Sequence, residues 1–219
     1  MLKVAGFRTG RRYYQNCRSY VNKFSDFKNN LIVSSSNFEI IILTESWLHF
    51  DIKDNTICPK NYHLYRVDRD PALSLKSKGG GVIIMVHNNN TSAFLSSYAG
   101  FYESLFIKVK INEVNYIIRA CYFPQHSSPD LYYEYLSEVE NIYRNNINCT
   151  FIITGDYNIP GFKWSNFNGN ITLQGCHNDH YIRNAAHLLK STFKLLNFCQ
   201  YNNFINQSGN TFDLFFSLS

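Results

Sequence analysis

FIITGDYNIPGFKW, residues 151–164, is the stretch on which the reading of this chain turns. Three apolar residues, Phe151 to Ile153, lead through Thr154 and Gly155 into Asp156, Tyr157, Asn158 and Pro160. In extended backbone, residues i and i+2 point to the same side, so Asp156 and Asn158 are expected to project together from the end of a buried strand. Gly155 permits close backbone approach, and Pro160 ends the strand by removing a ladder donor. A carboxylate and an amide displayed together suit a ligand site. Taken alone, an aspartate followed by Asn-x-Pro is more often a turn former than a catalyst.

Outward from this stretch, strands and helices alternate. Tyr13 to Asn16 reads as a short strand, followed by Val21, Phe24, Phe27 and Leu31 at helical spacing with Ser19 as the cap. Phe38 to Leu43 is a continuous apolar strand ending in Thr44-Glu45-Ser46-Trp47, and Gly81 to Val86 is a buried strand opened by three glycines. Leu105 to Ile111 and Val114 to Tyr122 form a hairpin around Asn112-Glu113. Leu131, Tyr135, Leu136, Val139, Ile142 and Tyr143 have a helical period, as do Ile182, Ala185, Leu189 and Leu196 in a helix over Tyr181 to Leu196. Gly161 to Asp179, rich in glycine and asparagine, is expected to be a long loop, and Phe212 to Phe216 a last short strand. With no repeat or linker, the expectation is an N-terminal extension over 1–12 and one α/β domain over 13–219.

Composition bounds the class. A chain of 219 residues with 45% apolar and 16% aromatic content can bury a sizeable core. Its formal charge of +5 is a mild bias toward polyanionic partners. The six cysteines lie scattered, without a C-x-x-C spacing, which favours reduced thiols and an intracellular setting, nucleus or cytoplasm. Residues 1–12 are polar and basic, unlike a secretory signal, and no stretch approaches the ~20 apolar residues of a membrane span, so no membrane partner is expected.

Three strand ends carry polar groups that a bland core does not request: Asn16, Glu45, and Asp156 with Asn158. Ligand sites in sheet proteins gather at such ends. An oxygen-only donor set fits a hard cation, Mg²⁺ or Mn²⁺, which takes one or two carboxylates while phosphate and water complete its shell. His177 and His180 are three apart without a second ligand pair, which does not make a zinc site. Lys78-Gly79-Gly80-Gly81 lacks the order of a phosphate-binding P-loop. Arg66, Arg69, Lys76 and Lys78 offer cations for a phosphate-tracking surface, with a solvated loop as the plainer alternative.

The ordered set YYQNCRSYVNKFSDFKNNL (13–31), IIILTESWL (40–48), YHLYRVDRD (62–70), GGGVIIMV (79–86), YESLFIKVK (102–110), CYFPQ (121–125), GDYNIPGFKW (155–164) and GNTFDLFFS (209–217) resembles the endonuclease domain of jockey-like non-LTR retrotransposons. That domain belongs to the endonuclease/exonuclease/phosphatase superfamily, with apurinic/apyrimidinic endonuclease and deoxyribonuclease I. The resemblance implies a two-sheet α/β sandwich with helices on the outer faces. It implies Glu45 as the metal ligand shared with Asp156, Asn16 as an aid to the metal and phosphate site, and Tyr122 beside the scissile phosphate. Asp156 would position or activate the attacking water, Asn158 would contact the phosphate, and Asp213 would orient a histidine.

That histidine lies in an S-D-H motif in the family, and none occurs in these residues. The expectation is therefore an incomplete domain lacking its last strand, with DNA nicking to a 3′ hydroxyl crippled and Asp213 left without its role. His126, His177 and His180 are the first substitutes to test. A monomer that binds DNA, once fused to a reverse transcriptase, is expected. The alternatives are a non-catalytic nucleic-acid-binding remnant and a superfamily phosphoesterase acting on RNA or on phosphorylated inositol or lipid.

Overall fold

The computed structural model describes residues 3–6, 11–33, 38–73, 79–167, 170–202 and 211–218. They build two β-sheets with flanking helices and a separate hairpin, the expected α/β class. Compactness divides the chain into two units, Met1–Tyr122 and Phe123–Ser219.

In the first unit, β1 (Lys3–Gly6), β2 (Arg11–Asn16), β3 (Ile40–Thr44), β4 (Tyr62–Val67) and β5 (Val82–His87) form a sheet in the order β1-β2-β3-β5-β4. Only β2 and β3 run parallel; the other neighbours are antiparallel. The run Ile40 to Thr44 is buried throughout, as expected of a central strand covered on both faces. One face places Tyr13, Ile41, Leu43, Ile83 and Met85 in a core with Tyr20 and Phe38, against which Phe24 and Phe27 of α1 (Phe24–Val33) pack. The other face lies against a meander of β6 (Thr91–Ala99), β7 (Glu103–Ile111) and β8 (Val114–Tyr122). A short α2 (Asp54–Ile57) precedes β4.

In the second unit, β9 (Thr150–Asp156) pairs antiparallel with β13 (Asp213–Leu218), which pairs on its other side with β12 (Phe198–Gln200). Two helices, α3 (Pro129–Asn145) and α4 (His180–Leu195), pack together. Pro129 occupies the first turn of α3, where its missing N–H costs nothing. Asp179 caps α4 by accepting from the Tyr181 N–H at 2.7 Å. Each helix buries one stripe: Tyr132, Tyr135, Leu136 and Val139 on α3, and Ile182, Ala185, Ala186, Leu189 and Phe193 on α4.

Several sequence expectations are corrected. Gly161 to Asp179 is not a long loop; it contains a hairpin of β10 (Phe162–Phe167) and β11 (Asn170–Gly175). Phe162, Trp164 and Ile171 are its buried residues, and the intervening asparagines and glycines mask that short alternation. Ser19 is not a helix cap, since α1 is entered through a 3₁₀ turn, Val21–Lys23, with Tyr20 at its N-cap and no side-chain bond. The strands β4 and β6 carry little periodic signal, because β4 is only partly buried along most of its length and β6 is largely solvent-facing. No helix among the described residues is long and apolar enough to cross a membrane.

Candidate active site

The parallel pairing of β2 with β3 continues past the strand ends. Cys17 N–H donates to Thr44 O at 2.9 Å, Ser19 N–H to Glu45 O at 2.9 Å, and Tyr20 N–H to Ser46 O at 2.8 Å. This register brings Asn16 alongside Glu45, and the Asn16 Nδ2 donates to Glu45 Oε1 at 3.0 Å. Trp47 Nε1 donates to the other oxygen, Oε2, at 3.3 Å. The Glu45 carboxylate is thus oriented by two neutral N–H groups. No lysine, arginine or histidine among the described residues lies within ion-pair distance of it.

The Thr44-Glu45-Ser46-Trp47 turn is unusual in its backbone. Glu45 has φ 54° and Trp47 φ 55°, left-handed conformations that cost of order 1–2 kcal/mol each for residues with a Cβ. The turn is held in place by the glycine run beside it: Ser46 N–H donates to Gly81 O at 3.2 Å and Trp47 N–H to Gly80 O at 3.0 Å. A Cβ at Gly80 would come within 2.6 Å of the Arg69 Cζ, and one at Gly81 would run into Ser46 Oγ. Both glycines also have positive φ, 70° and 83°. The run therefore serves close approach of backbone to the Glu45 turn, not a phosphate cradle. Gly80→Ala and Gly81→Ala are each expected to destabilise the fold by ~1–3 kcal/mol, read as a lower midpoint of urea unfolding.

Arg69 and Arg66 turn inward. Arg69 Nε lies 2.7 Å from Glu103 Oε1, with the two side chains only 6% and 1% exposed. Its Cζ sits 5.4 Å from the Tyr122 ring centroid. Burial pushes the Glu103 carboxyl up, opposed by Arg69 and by the Gly81 N–H; for Arg69, burial works against the charge but is outweighed by the hydrogen bond to Glu103, which keeps it protonated. Arg66 pairs with Asp54 at 3.1 Å and Asp68 at 3.4 Å. A freely exposed phosphate-tracking face is therefore not what these two arginines present; Lys76 and Lys78 lie outside the described residues. Glu103 escaped the sequence reading because a lone acid at the start of an apolar strand carries no periodic signal. Its register partner across β7 and β8 is Tyr122.

In the second unit the extended-strand argument for Asp156 and Asn158 is corrected, though the two residues do come together. The strand β9 ends at Asp156, and Asn158 has φ 48°. The pair is joined by a turn: the Asn158 N–H donates to Asp156 Oδ1 at 3.2 Å, and Asn158 Nδ2 donates to Phe123 O at 2.7 Å. Tyr157, between them, is fully buried. Its hydroxyl lies 2.6 Å from that of Tyr135, its carbonyl accepts from the Tyr132 hydroxyl at 2.7 Å, and Phe123 stacks 4.3 Å from Tyr132. The aromatic cluster fixes the turn from behind. Asp213 is half-buried and stands directly opposite Asp156 in the antiparallel register.

Of the histidines proposed as substitutes, His126 is exposed with φ 65°, His180 is exposed, and the ring of His177 accepts from the Asp179 N–H at 3.1 Å. Burial raises the Cys17 thiol to about 12 and the Cys58 thiol to about 11, which leaves both protonated and poor nucleophiles.

The backbone is similar to that of the human Nocturnin catalytic domain, with a TM-score of 0.63 at 12% identity over 99% of this chain and 85% of that one. The AP endonuclease LMAP from Leishmania major gives 0.62 at 14% identity, covering 95% and 78%. The endonuclease domain of TRAS1, a telomere-specific non-LTR retrotransposon, gives 0.58 at 10% identity, covering 94% and 84%. No family model and no curated protein matches the sequence. At these identities the likeness defines a fold, and the fold is that of the endonuclease/exonuclease/phosphatase proteins.

Proposed function

We propose that this chain is a Mg²⁺-dependent phosphodiesterase of retroelement origin that nicks DNA and leaves a 3′ hydroxyl. The observation that carries the reading is the Glu45 carboxylate, set on a left-handed backbone and oriented at both oxygens by neutral donors, with no described lysine, arginine or histidine within ion-pair distance. An oxygen donor of this kind fits Mg²⁺ or Mn²⁺, which would supply charge neutralisation at the phosphate. Glu45 and Asp156 are the carboxylates that serve the metal, Asn16 orients Glu45, and Asn158 and Tyr122 contact the phosphate. The descriptions of TRAS1 as a retrotransposon endonuclease and of a Neisseria 3′ phosphatase bound to product DNA support DNA as the substrate class.

The test has a direct arm and a catalytic arm. Trp47 donates to Glu45, whereas the other tryptophan, Trp164, is buried in β10, so with Trp164→Phe the indole at 47 reports on the metal. Mn²⁺ is expected to quench its fluorescence saturably, and Glu45→Gln to weaken that quenching at least ~10-fold in Mn²⁺ concentration. Supercoiled plasmid should be nicked with Mg²⁺ and spared with EDTA. Quenching without nicking would favour the non-catalytic nucleic-acid binder. Absence of both would end the metal reading.

A further inference from the structure

The buried pair Arg69 and Glu103 belongs to no role assigned above, although it lies at the same strand ends as Tyr122. We propose that Arg69, clamped by Glu103, is the positioning residue for Tyr122, fixing the phenol oxygen for its work at the phosphate; this rests on the reading of Tyr122 given above.

Three observations converge on it. Glu103 and Tyr122 are directly opposed across β7 and β8, so their side chains stand on one face of the meander. Arg69 reaches that face from the end of β4 and meets both, donating from Nε to Glu103 at 2.7 Å and approaching again through Nη2 at 3.5 Å, with its guanidinium carbon 5.4 Å from the Tyr122 ring. Gly80 leaves the room that the guanidinium occupies, since a Cβ there would overlap it. A planar fork with five donors can bridge a carboxylate and a phenol at once; a lysine ammonium cannot hold both in one plane. The carboxylate in turn fixes the fork, because Glu103 is itself almost fully buried in a strand. Surface recognition of DNA does not need this arrangement. A charge this deep that touches a tyrosine assigned to the site is a device for holding that tyrosine.

The experiment places 3-fluorotyrosine at position 122 of the full chain and follows its ¹⁹F resonance, with folding checked by circular dichroism. Arg69→Met is expected to move the resonance by more than its linewidth and to broaden it, and Arg69→Lys to leave it displaced. An unmoved resonance in folded Arg69→Met overturns the proposal. Should Arg69→Met not fold, Glu103→Gln keeps the shape of the clamp while releasing its charge; a displaced resonance there supports the proposal and an unmoved one overturns it. Nicking supplies the second readout. Arg69→Met is expected to lower kcat by ~10²-fold with little change in KM, the scale of a misplaced reacting group, and to have less than about a twofold effect in a Tyr122→Phe background. Equal losses in both backgrounds overturn the proposal. If the resonance moves but Tyr122→Phe nicks as fast as wild type, the clamp stands and the reaction role given to Tyr122 falls.

Discussion

Asp156→Asn is expected to lower Mg²⁺-dependent nicking by ~10³-fold or more while leaving the fold intact, within the range that loss of a positioned proton acceptor typically costs. The substitution is nearly isosteric. An asparagine Oδ1 still accepts from the Asn158 N–H, so the turn that follows β9 keeps its closing bond at 3.2 Å. What disappears is the negative charge and the capacity to hold a water proton. Tyr157 stays fixed behind the turn by Tyr132 and Tyr135, so the rest of the loop has no reason to move. Plasmid nicking measures the loss, and urea unfolding verifies that stability is unchanged within about 1 kcal/mol. Nicking by Asp156→Asn at the wild-type rate would return this residue to the role of a turn former. Glu45→Gln should behave differently: Asp156 serves the metal and also takes the water proton, whereas the defect of Glu45→Gln belongs to metal binding alone, so raising Mg²⁺ should recover more of the rate there than in Asp156→Asn.

That contrast marks how far the sequence could be read. The central strands were legible because Ile40 to Leu43 and Val82 to Val86 are covered on both faces and therefore apolar without interruption. Asn16 and Glu45 could be singled out as polar residues ending such strands, but their hydrogen bond depends on a parallel register that spacing along one chain does not encode. For Asp156 and Asn158 a left-handed turn, not strand alternation, brings the Asn158 N–H to the Asp156 carboxylate, and the Asn158 amide reaches Phe123 O. In sequence the glycine run marks the entry to a strand, and its closer purpose, room for the Glu45 turn and the Arg69 guanidinium, appears only in three dimensions. Arg69 illustrates the sharpest limit. A cation near glycines suggests phosphate contact, and only burial and Glu103 reveal that its charge is already committed.

Glu103→Ala is expected to destabilise the first unit by ~3–5 kcal/mol, the cost of leaving a buried charge without its partner. The two halves of the pair are not equivalent. A guanidinium cannot shed its proton under ordinary conditions, so Arg69 would stay charged in a site that no longer holds a carboxylate. Glu103 has an escape, because burial already pushes its carboxyl up from the ordinary 4.5 and it can become neutral when Arg69 is removed. Arg69→Met should therefore cost less than Glu103→Ala at acidic pH. The sign follows from proton binding: a carboxyl whose folded pKa is raised holds its proton more tightly in the native state, so its stabilisation is present below 4.5 and is lost as pH climbs through the folded value. Asp68, also raised by burial from 3.8 and opposed by Arg66, adds to the same trend. In Arg69→Met the opposing guanidinium is gone, and the fall in stability should extend further toward neutral pH than in wild type. Arg69→Met with Glu103→Leu, which removes both charges, should recover much of the loss of Glu103→Ala, because apolar side chains replace a buried ion pair at little net cost. Urea unfolding of the four proteins from pH 4 to 8 decides the matter: equal, pH-independent losses for Glu103→Ala and Arg69→Met would mean that the guanidinium reaches water when its partner is removed, and that the charge is not confined beside Tyr122.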